Sequence, residues 1–183
     1  MILVVDTNVP LMANLFPAEK LGCPPKCVVA IRPILQGSSK LALDDAWRII
    51  KEYMHKLRTN EPGFGNEFLK WVLTNHTNLE RCEIVTITPR SNGPNSAEDY
   101  EEFPRDEDLA TFDPPDRKFV AVAAAHPERP PILEAADSKW LTWYPALKRN
   151  GILVRFVCHS DLVAVYSNKF GVAPPNVAED DRA

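Results

Sequence analysis

The chain has 183 residues, of which 45% are apolar and 25% charged, and its formal net charge is -4. This length suits one domain of ordinary size, and the composition excludes disordered, collagen-like and coiled-coil proteins. No apolar run reaches the roughly 18 residues of a membrane helix, and no basic segment precedes the apolar start, so neither a membrane anchor nor a signal peptide is expected. The four cysteines are accordingly expected to be reduced thiols of a cytoplasmic protein.

Apolar residues alternate between strand-like and helix-like patterns along the chain. Short apolar runs predict strands, whereas apolar residues at three- and four-residue spacing, with proline near the start or glycine past the end, predict helices. In chain order we predict a strand at 2–6, helices at 10–15 and 24–35, a strand at 40–44, helices at 45–58 and 67–73, a strand at 83–88, a loop at 89–111, a helix at 114–125, a strand at 132–137, a helix at 139–150 and a strand at 152–157. Such alternation is typical of an α/β fold with a mainly parallel central sheet and helices on both faces. Residues 1–170 are predicted to form one domain, followed by a loose, acidic, proline-containing tail at 171–183.

The helix after the acidic loop has a recognisable start. Asp113 suits the N-cap, Pro114 the first helical position and Asp116 the third, where it would complete a capping box. The segment Phe119–Ala125 is apolar on all sides, so this helix is expected to be buried. Ser138 is predicted to cap the next helix.

The charge is unevenly distributed. Residues 98–108 carry a net charge of -6 and the acidic tail adds -2, which leaves +4 on the remaining residues. A mildly basic body is compatible with a polyanionic partner. Glycine is scarce, with 7 residues, and the sequence has no glycine-rich phosphate-binding motif.

Aspartates stand where three of the predicted strands end, at Asp6, Asp44 and Asp137. Open parallel sheets bind ligands beyond the carboxyl ends of their strands, so these acids are expected to meet at one edge, joined by Asp116 and Glu52 from two helices. Clustered carboxylates repel one another unless protons or a cation neutralise them, and hard divalent cations such as Mg²⁺ and Mn²⁺ prefer carboxylate oxygens. The pattern predicts a site for one or two metal ions, which would activate water and stabilise the charge on a phosphodiester.

Four segments around these acids follow one another in a recognisable order: Val4–Asn8, Ile49–Tyr53, Asp116–Ala123 and Ala136–Trp140. The first has an aspartate, followed by Thr-Asn, at the end of a strand, and the third opens an apolar, alanine-rich helix with an aspartate. In this arrangement, which spans residues 4–140, the chain resembles the PIN-domain nucleases. The first and third segments are the more specific matches, and in the second Asp44 or Asp45 could stand in for Glu52.

The resemblance implies a three-layer α/β/α fold and a Mg²⁺- or Mn²⁺-dependent endoribonuclease that acts mostly on single-stranded RNA. It implies that four catalytic acids hold the metal, namely Asp6, Glu52, Asp116 and Asp137. Asn8 would orient a ligand or a water molecule. Many bacterial members are toxins of toxin–antitoxin pairs and many dimerise, so a role as toxin or defence effector, an antitoxin or other protein partner and a homodimer are expectations.

Three basic residues stand beside these acids. Arg117 and Lys118 follow Asp116 and are candidate phosphate contacts, with a solvated helix start as the alternative. Lys139 occupies a position where the family often has a further acid. This departure bears on whether a second metal binds, and it makes Lys139 another candidate contact to phosphate.

Each acid also has a structural interpretation. Asp6 could be a turn residue, Asp44, Asp116 and Asp137 helix caps, and Glu52 a solvated charge. A PIN-like module that has lost catalysis and binds RNA or protein is the alternative function, and the features that favour it are Lys139 and the acidic loop at 98–108. A phosphohydrolase or receiver-type domain with a reactive aspartate is a third interpretation, although a haloacid-dehalogenase-type site wants an aspartate two residues after the first, where this chain has asparagine.

Cys23 and Cys27 have a spacing that can bind zinc. No second pair of cysteines or histidines with matching spacing follows, so structural thiols are expected. Cys82 and Cys158 are predicted to be small core residues.

Overall fold

The computed structural model describes residues 1–90 and 98–182, and these form five strands and seven α-helices. None of these described helices is long and apolar enough to cross a membrane. The strands are β1 (Ile2–Val5), β2 (Lys40–Asp44), β3 (Cys82–Val85), β4 (Ile132–Glu134) and β5 (Val154–Phe156). The helices are α1 (Asn8–Ala13), α2 (Cys23–Leu35), α3 (Arg48–Lys56), α4 (Phe64–Asn75), α5 (Arg117–Ala125), α6 (Trp140–Arg149) and α7 (His159–Phe170).

The sheet is parallel throughout, with the strand order β3-β2-β1-β4-β5. From β1 the chain moves outward to β2 and β3, and then returns to the other side of β1 for β4 and β5. Because crossovers between parallel strands are right-handed, this reversal sends α1–α4 to one face of the sheet and α5 and α6 to the other. The predicted α/β fold, with a parallel central sheet between two layers of helices, is confirmed.

The core fills both faces of this sheet. Strand β1 is buried along its whole length, and α5 contacts β1, β2 and β4 while burying Phe119 and Val120 completely. A parallel strand covered on both faces must be apolar throughout, which explains the continuous apolar run at the start of the chain. The predicted burial of the alanine-rich helix is confirmed.

Buried carboxylates change the bounds of two elements. Helix α3 begins at Arg48 rather than Asp45, because the Asp44 carboxylate accepts three backbone N–H groups around the intervening turn. Strand β4 ends at Glu134 rather than Asp137, because the Glu134 carboxylate accepts the N–H groups of Ala136 and Asp137. In both places a side chain takes over backbone hydrogen bonds that the regular element would otherwise make.

We expect Asp44→Ala to destabilise the fold by about 2 kcal/mol, because the buried carboxylate caps α3 through three N–H groups. Unfolding in urea would measure this loss. Asp45→Ala is the matched control, since the side chain of the exposed Asp45 forms a weak ion pair with Arg48 at 3.5 Å, and its removal should cost no more than about 0.5 kcal/mol. Equal losses in the two variants would show that Asp44 is not the cap.

The start of α5 differs from the prediction. A 3-10 turn at Pro114–Asp116 precedes the helix, and the Asp113 side chain makes no capping hydrogen bond. The predicted capping box is wrong, because the Asp113 carboxylate instead forms an ion pair with Lys139. Lys139, rather than the predicted Ser138, also directly precedes the first residue of α6.

The C-terminal segment contacts the domain where the sequence predicts a loose tail. Val177 is buried, and the Asp181 carboxylate accepts hydrogen bonds from Tyr144 at 2.7 Å and from Lys148 at 3.0 Å. Arg182 forms a parallel bridge with the last strand. Charge pairing and apolar burial therefore attach 177–182 to α6 and β5.

Two of the four cysteines are bonded to each other. Cys23, at the start of α2, and Cys158, just before α7, form a disulfide. The expectation of four reduced thiols is wrong for this pair, because folding brings together two residues that are 135 positions apart. Cys27 and Cys82 are free and buried.

Candidate acidic site

Two buried acids stand side by side at the centre of the sheet. Val5 of β1 pairs with Leu133 of β4, and the N–H of Asp6 donates to the Leu133 carbonyl at 3.0 Å. The next residues along these strands, Asp6 and Glu134, therefore occupy neighbouring positions and project to the same side. The connections from β1 and β4 leave toward opposite faces, which makes this edge the topological switch point of the sheet, where such folds bind ligands.

The Asp6–Glu134 pair is almost completely removed from water, with exposed fractions of 2% and 0%. Asp6 accepts one hydrogen bond, from the N–H of Asn8 at 2.8 Å. One Glu134 oxygen, Oε1, accepts the N–H groups of Ala136 at 2.9 Å and Asp137 at 2.7 Å. The other oxygen, Oε2, is buried without an N–H partner. A proton on Asp6 allows the Asp6 and Glu134 carboxyl groups to hydrogen-bond to each other.

Burial sets the protonation of this pair. It raises the pKa of Asp6 well above its usual range, and the negative charge of Glu134 adds to the rise. Burial also raises the pKa of Glu134 to about 7, although the N–H of Asp137 opposes the change. A proton or a cation is therefore needed to stabilise these two carboxyl groups at neutral pH.

Three further aspartates lie close together at the same edge. Asp113, Asp116 and Asp137 are half-buried, and each offers a carboxylate oxygen within 4.8 Å of the other two. Burial, together with the negative charge of Asp6, raises the pKa of Asp116 to about 7, although the charge of Lys118 opposes the change. The three aspartates and the buried pair thus form one electrostatic unit, the acidic site.

Glu52 reaches this site from α3. Its Oε1 accepts the Thr7 hydroxyl at 2.6 Å, and its Oε2 forms an ion pair with Lys118. The charge of Glu52 also contributes to the raised pKa of Asp6. Asp44, the alternative second acid, has its oxygens engaged as the cap of α3, so Glu52 is the residue that the fold brings to the site.

The predicted substrate contacts fall into two groups. Lys118 and Lys139 lie in the acidic site, where they pair with Glu52 and Asp113. Arg117 instead points to the loop before α5. Its guanidinium pairs with Asp99 at 3.0 Å, donates to the carbonyls of Phe112 and Ala110, and lies over the Phe103 ring. Arg117 therefore anchors this loop rather than lining the acidic site. Asn8, the remaining predicted contact, is half-buried at the start of α1.

Glu134 and Asp113 are the site residues that sequence reasoning missed. Glu134 lies inside the segment that the sequence predicts as a strand to Asp137, and its signal is an acid within an apolar run. The sequence around Asp113 predicts a helix cap, a role that suits this aspartate equally well.

No known protein family, characterised protein or solved structure matches this chain. The chemistry of the site must therefore be inferred from its own side chains. These offer carboxylate oxygens, a donor set that suits hard divalent cations such as Mg²⁺ and Mn²⁺.

Proposed function

We propose that the chain is a metal-dependent nuclease of the PIN type, which hydrolyses phosphodiester bonds with single-stranded RNA as its main substrate. The observation that carries this proposal is electrostatic: the charges of Asp6, Glu52 and Asp137, which come from three other parts of the chain, all raise the pKa of Asp116. Asp6 follows β1 and Asp137 follows β4, at the edge where open parallel sheets bind their ligands. A role as toxin or defence effector, an antitoxin partner and a homodimer stay predictions.

The acidic site fits a hard divalent cation in two respects. Glu134 carries a buried oxygen that no N–H group contacts, and burial, together with neighbouring negative charges, raises the pKa values of Asp6, Asp116 and Glu134. Asp6, Asp116 and Asp137, with Glu52 beside them, would hold the ion. When bound, Mg²⁺ or Mn²⁺ supplies a stronger nucleophile from water and neutralises charge on the phosphodiester.

The two lysines of the site differ in their access to solvent. The side chain of Lys118 is 8% exposed and pairs with Glu52, so it holds that carboxylate in place and is shielded from a bound strand. The side chain of Lys139 is 38% exposed and pairs with Asp113 at the rim. Lys139 is therefore the lysine that can contact a phosphate of a bound strand.

We expect Lys139→Ala to lower the affinity for single-stranded RNA and to reduce the salt dependence of binding by about one phosphate contact, a change of about 0.7 in the slope. Fluorescence anisotropy over a range of salt concentrations, in an Asp116→Asn background that prevents cleavage, would measure it. Lys169→Ala removes an exposed lysine from the end of α7 and is the control. An unchanged salt slope for Lys139→Ala would remove this residue from the RNA contact.

An inactive PIN-like module that binds RNA or protein is the second candidate. The ion pairs Lys118–Glu52 and Lys139–Asp113 favour it, because lysine charges neutralise two acids at the site without a metal ion. Calorimetry discriminates between the candidates. Binding of Mn²⁺ at millimolar concentration or below supports the nuclease, and its absence from the folded protein supports the module.

The direct test is a cleavage assay on the purified chain. Labelled single-stranded RNA, duplex RNA and single-stranded DNA would each be incubated with Mn²⁺, Mg²⁺ or EDTA. Cleavage of single-stranded RNA that requires the metal and stops with EDTA is the expected result. Cleavage that persists in EDTA would contradict the metal-dependent mechanism, and a preference for DNA would contradict the proposed substrate.

A further inference from the structure

Three cysteine sulfurs meet beside the acidic site, at the carboxyl ends of β4 and β5. The Cys27 Sγ lies 3.6 Å from the Sγ of Cys23 and 3.7 Å from the Sγ of Cys158, and all three residues are buried. The Sγ of Cys23 is 3.8 Å from the carbonyl oxygen of Ala135, the residue that follows Glu134. This cluster, the sulfur triad, plays no part in the proposed nuclease chemistry.

Cys27 is poorly placed to exchange with the Cys23–Cys158 disulfide. A thiolate attacks a disulfide in line with the bond that breaks, so the leaving sulfur should lie about 2 Å further away than the attacked one. The distances of 3.6 and 3.7 Å instead put Cys27 to the side of the bond. Cys27 is therefore not placed to exchange with the disulfide, and binding of a metal ion is another role that three clustered cysteine sulfurs can serve.

The spacing of the sulfurs matches a shared metal ion. Thiolates bound to one cation at about 2.3 Å in tetrahedral geometry lie about 3.8 Å apart. Two edges of the triad, at 3.6 and 3.7 Å, already have nearly this length, and breaking the disulfide frees the third edge to open. Cys23 and Cys27 share one face of α2, since they are four residues apart. The fold brings Cys158 beside them as a third sulfur ligand.

The donor atoms of the sulfur triad and of the acidic site favour different metal ions. Sulfur ligands select soft ions, whereas the neighbouring carboxylates select hard ones.

We propose that reduced Cys23, Cys27 and Cys158 bind one soft d10 cation, Zn²⁺ or Cu⁺, and that the disulfide and the metal-bound form are alternative states of this triad. A dithiol reductant supplies two electrons and two protons, the S–S bond breaks, and the reductant closes to its own disulfide. Each of the three thiols then releases its proton to solvent as its sulfur binds the cation. This site is independent of the proposed nuclease function.

Cadmium titration of the reduced chain tests the proposal. The protein would be reduced with dithiothreitol, desalted without oxygen and titrated with Cd²⁺, whose thiolate complexes absorb in the ultraviolet. We expect the charge-transfer band to saturate at one equivalent in the reduced wild type, and to be absent from the oxidised form. Subsequent titration with Zn²⁺, and with Cu⁺ under a competing chelator, would identify the preferred ion by displacement of Cd²⁺.

Variants separate the sulfur triad from other sites. Cys27→Ala and Cys27→Ser should lose the band, whereas Cys82→Ala, which removes the other buried free cysteine, should keep it. Asp116→Asn should also keep it, which distinguishes this metal from one in the acidic site, and circular dichroism would establish that each variant is folded. A reduced, folded wild type without the band, or an undiminished band in a folded Cys27 variant, would overturn the proposal.

Discussion

Asp116→Asn is expected to lower metal-dependent RNA cleavage by about 100- to 1,000-fold while leaving the chain folded. A bound divalent cation contributes several kcal/mol to the stabilisation of the transition state, and each 1.36 kcal/mol corresponds to a tenfold change in rate. Asp116 is a central member of the acidic site, because its oxygen lies within 4.8 Å of those of Asp113 and Asp137 and its pKa responds to Asp6. The amide keeps the shape of the side chain but removes the charge that would bind the cation.

Single-turnover cleavage of single-stranded RNA in saturating Mn²⁺ would measure this loss. Asp45→Asn is the matched control, because Asp45 follows β2 at the same edge of the sheet but is exposed and outside the acidic site. Asp6→Asn should produce a similar loss, and the double variant Asp6→Asn/Asp116→Asn should be little worse than either single one, because ligands of one ion act as a unit. Cleavage by Asp116→Asn within threefold of wild type would exclude the acidic site as the catalytic centre.

The sequence predicts the central part of this site well because the relevant signals are local. The run Ile2–Val5 is apolar and ends at an acid, and this is how a buried parallel strand appears in a sequence. Helix α5 is apolar on all sides, so its burial against the sheet follows directly. The fold and the location of Asp6 at a strand end therefore required no tertiary information.

Residues of the site that depend on tertiary pairing could not be found in this way. Glu134 becomes the neighbour of Asp6 only through the register of β4 against β1. The Asp113 side chain does not cap the helix as its local sequence predicts, because its carboxylate forms an ion pair with Lys139, which is 26 residues away. The Cys23–Cys158 bond joins positions 135 residues apart. Local propensity does not carry information about such partners.

The pH dependence of stability provides a second test, which does not require a substrate. In the metal-free protein, the pKa values of Asp116 and Glu134 are raised from 3.8 and 4.5 to about 7. The folded state therefore binds more protons than the unfolded state between about pH 4 and pH 7, and stability must fall as the pH rises through this range. The loss for Glu134 alone is expected to be on the order of 3 kcal/mol.

Thermal unfolding in EDTA at pH 5 and pH 8 would measure this effect. A loss of about 3 kcal/mol corresponds to a decrease of about 6–12 °C in Tm for a chain of this size. Glu134→Gln should reduce the decrease markedly, because glutamine can accept the N–H groups of Ala136 and Asp137 without a charge to bury. An identical pH dependence in wild type and Glu134→Gln would mean that Glu134 does not titrate in the folded state.

Mn²⁺ links this instability to the proposed function. A cation that binds the ionised site must displace its protons, so Mn²⁺ should raise Tm more at pH 8 than at pH 5. At about 100 times its Kd, the ion would add about 2.7 kcal/mol at the higher pH and offset much of the loss. The gain should disappear in Asp116→Asn and persist in Asp45→Asn. If the stability of the folded protein falls with rising pH but Mn²⁺ does not restore it, the buried carboxylates do not bind a metal ion. The inactive binding module then becomes the better description of this chain.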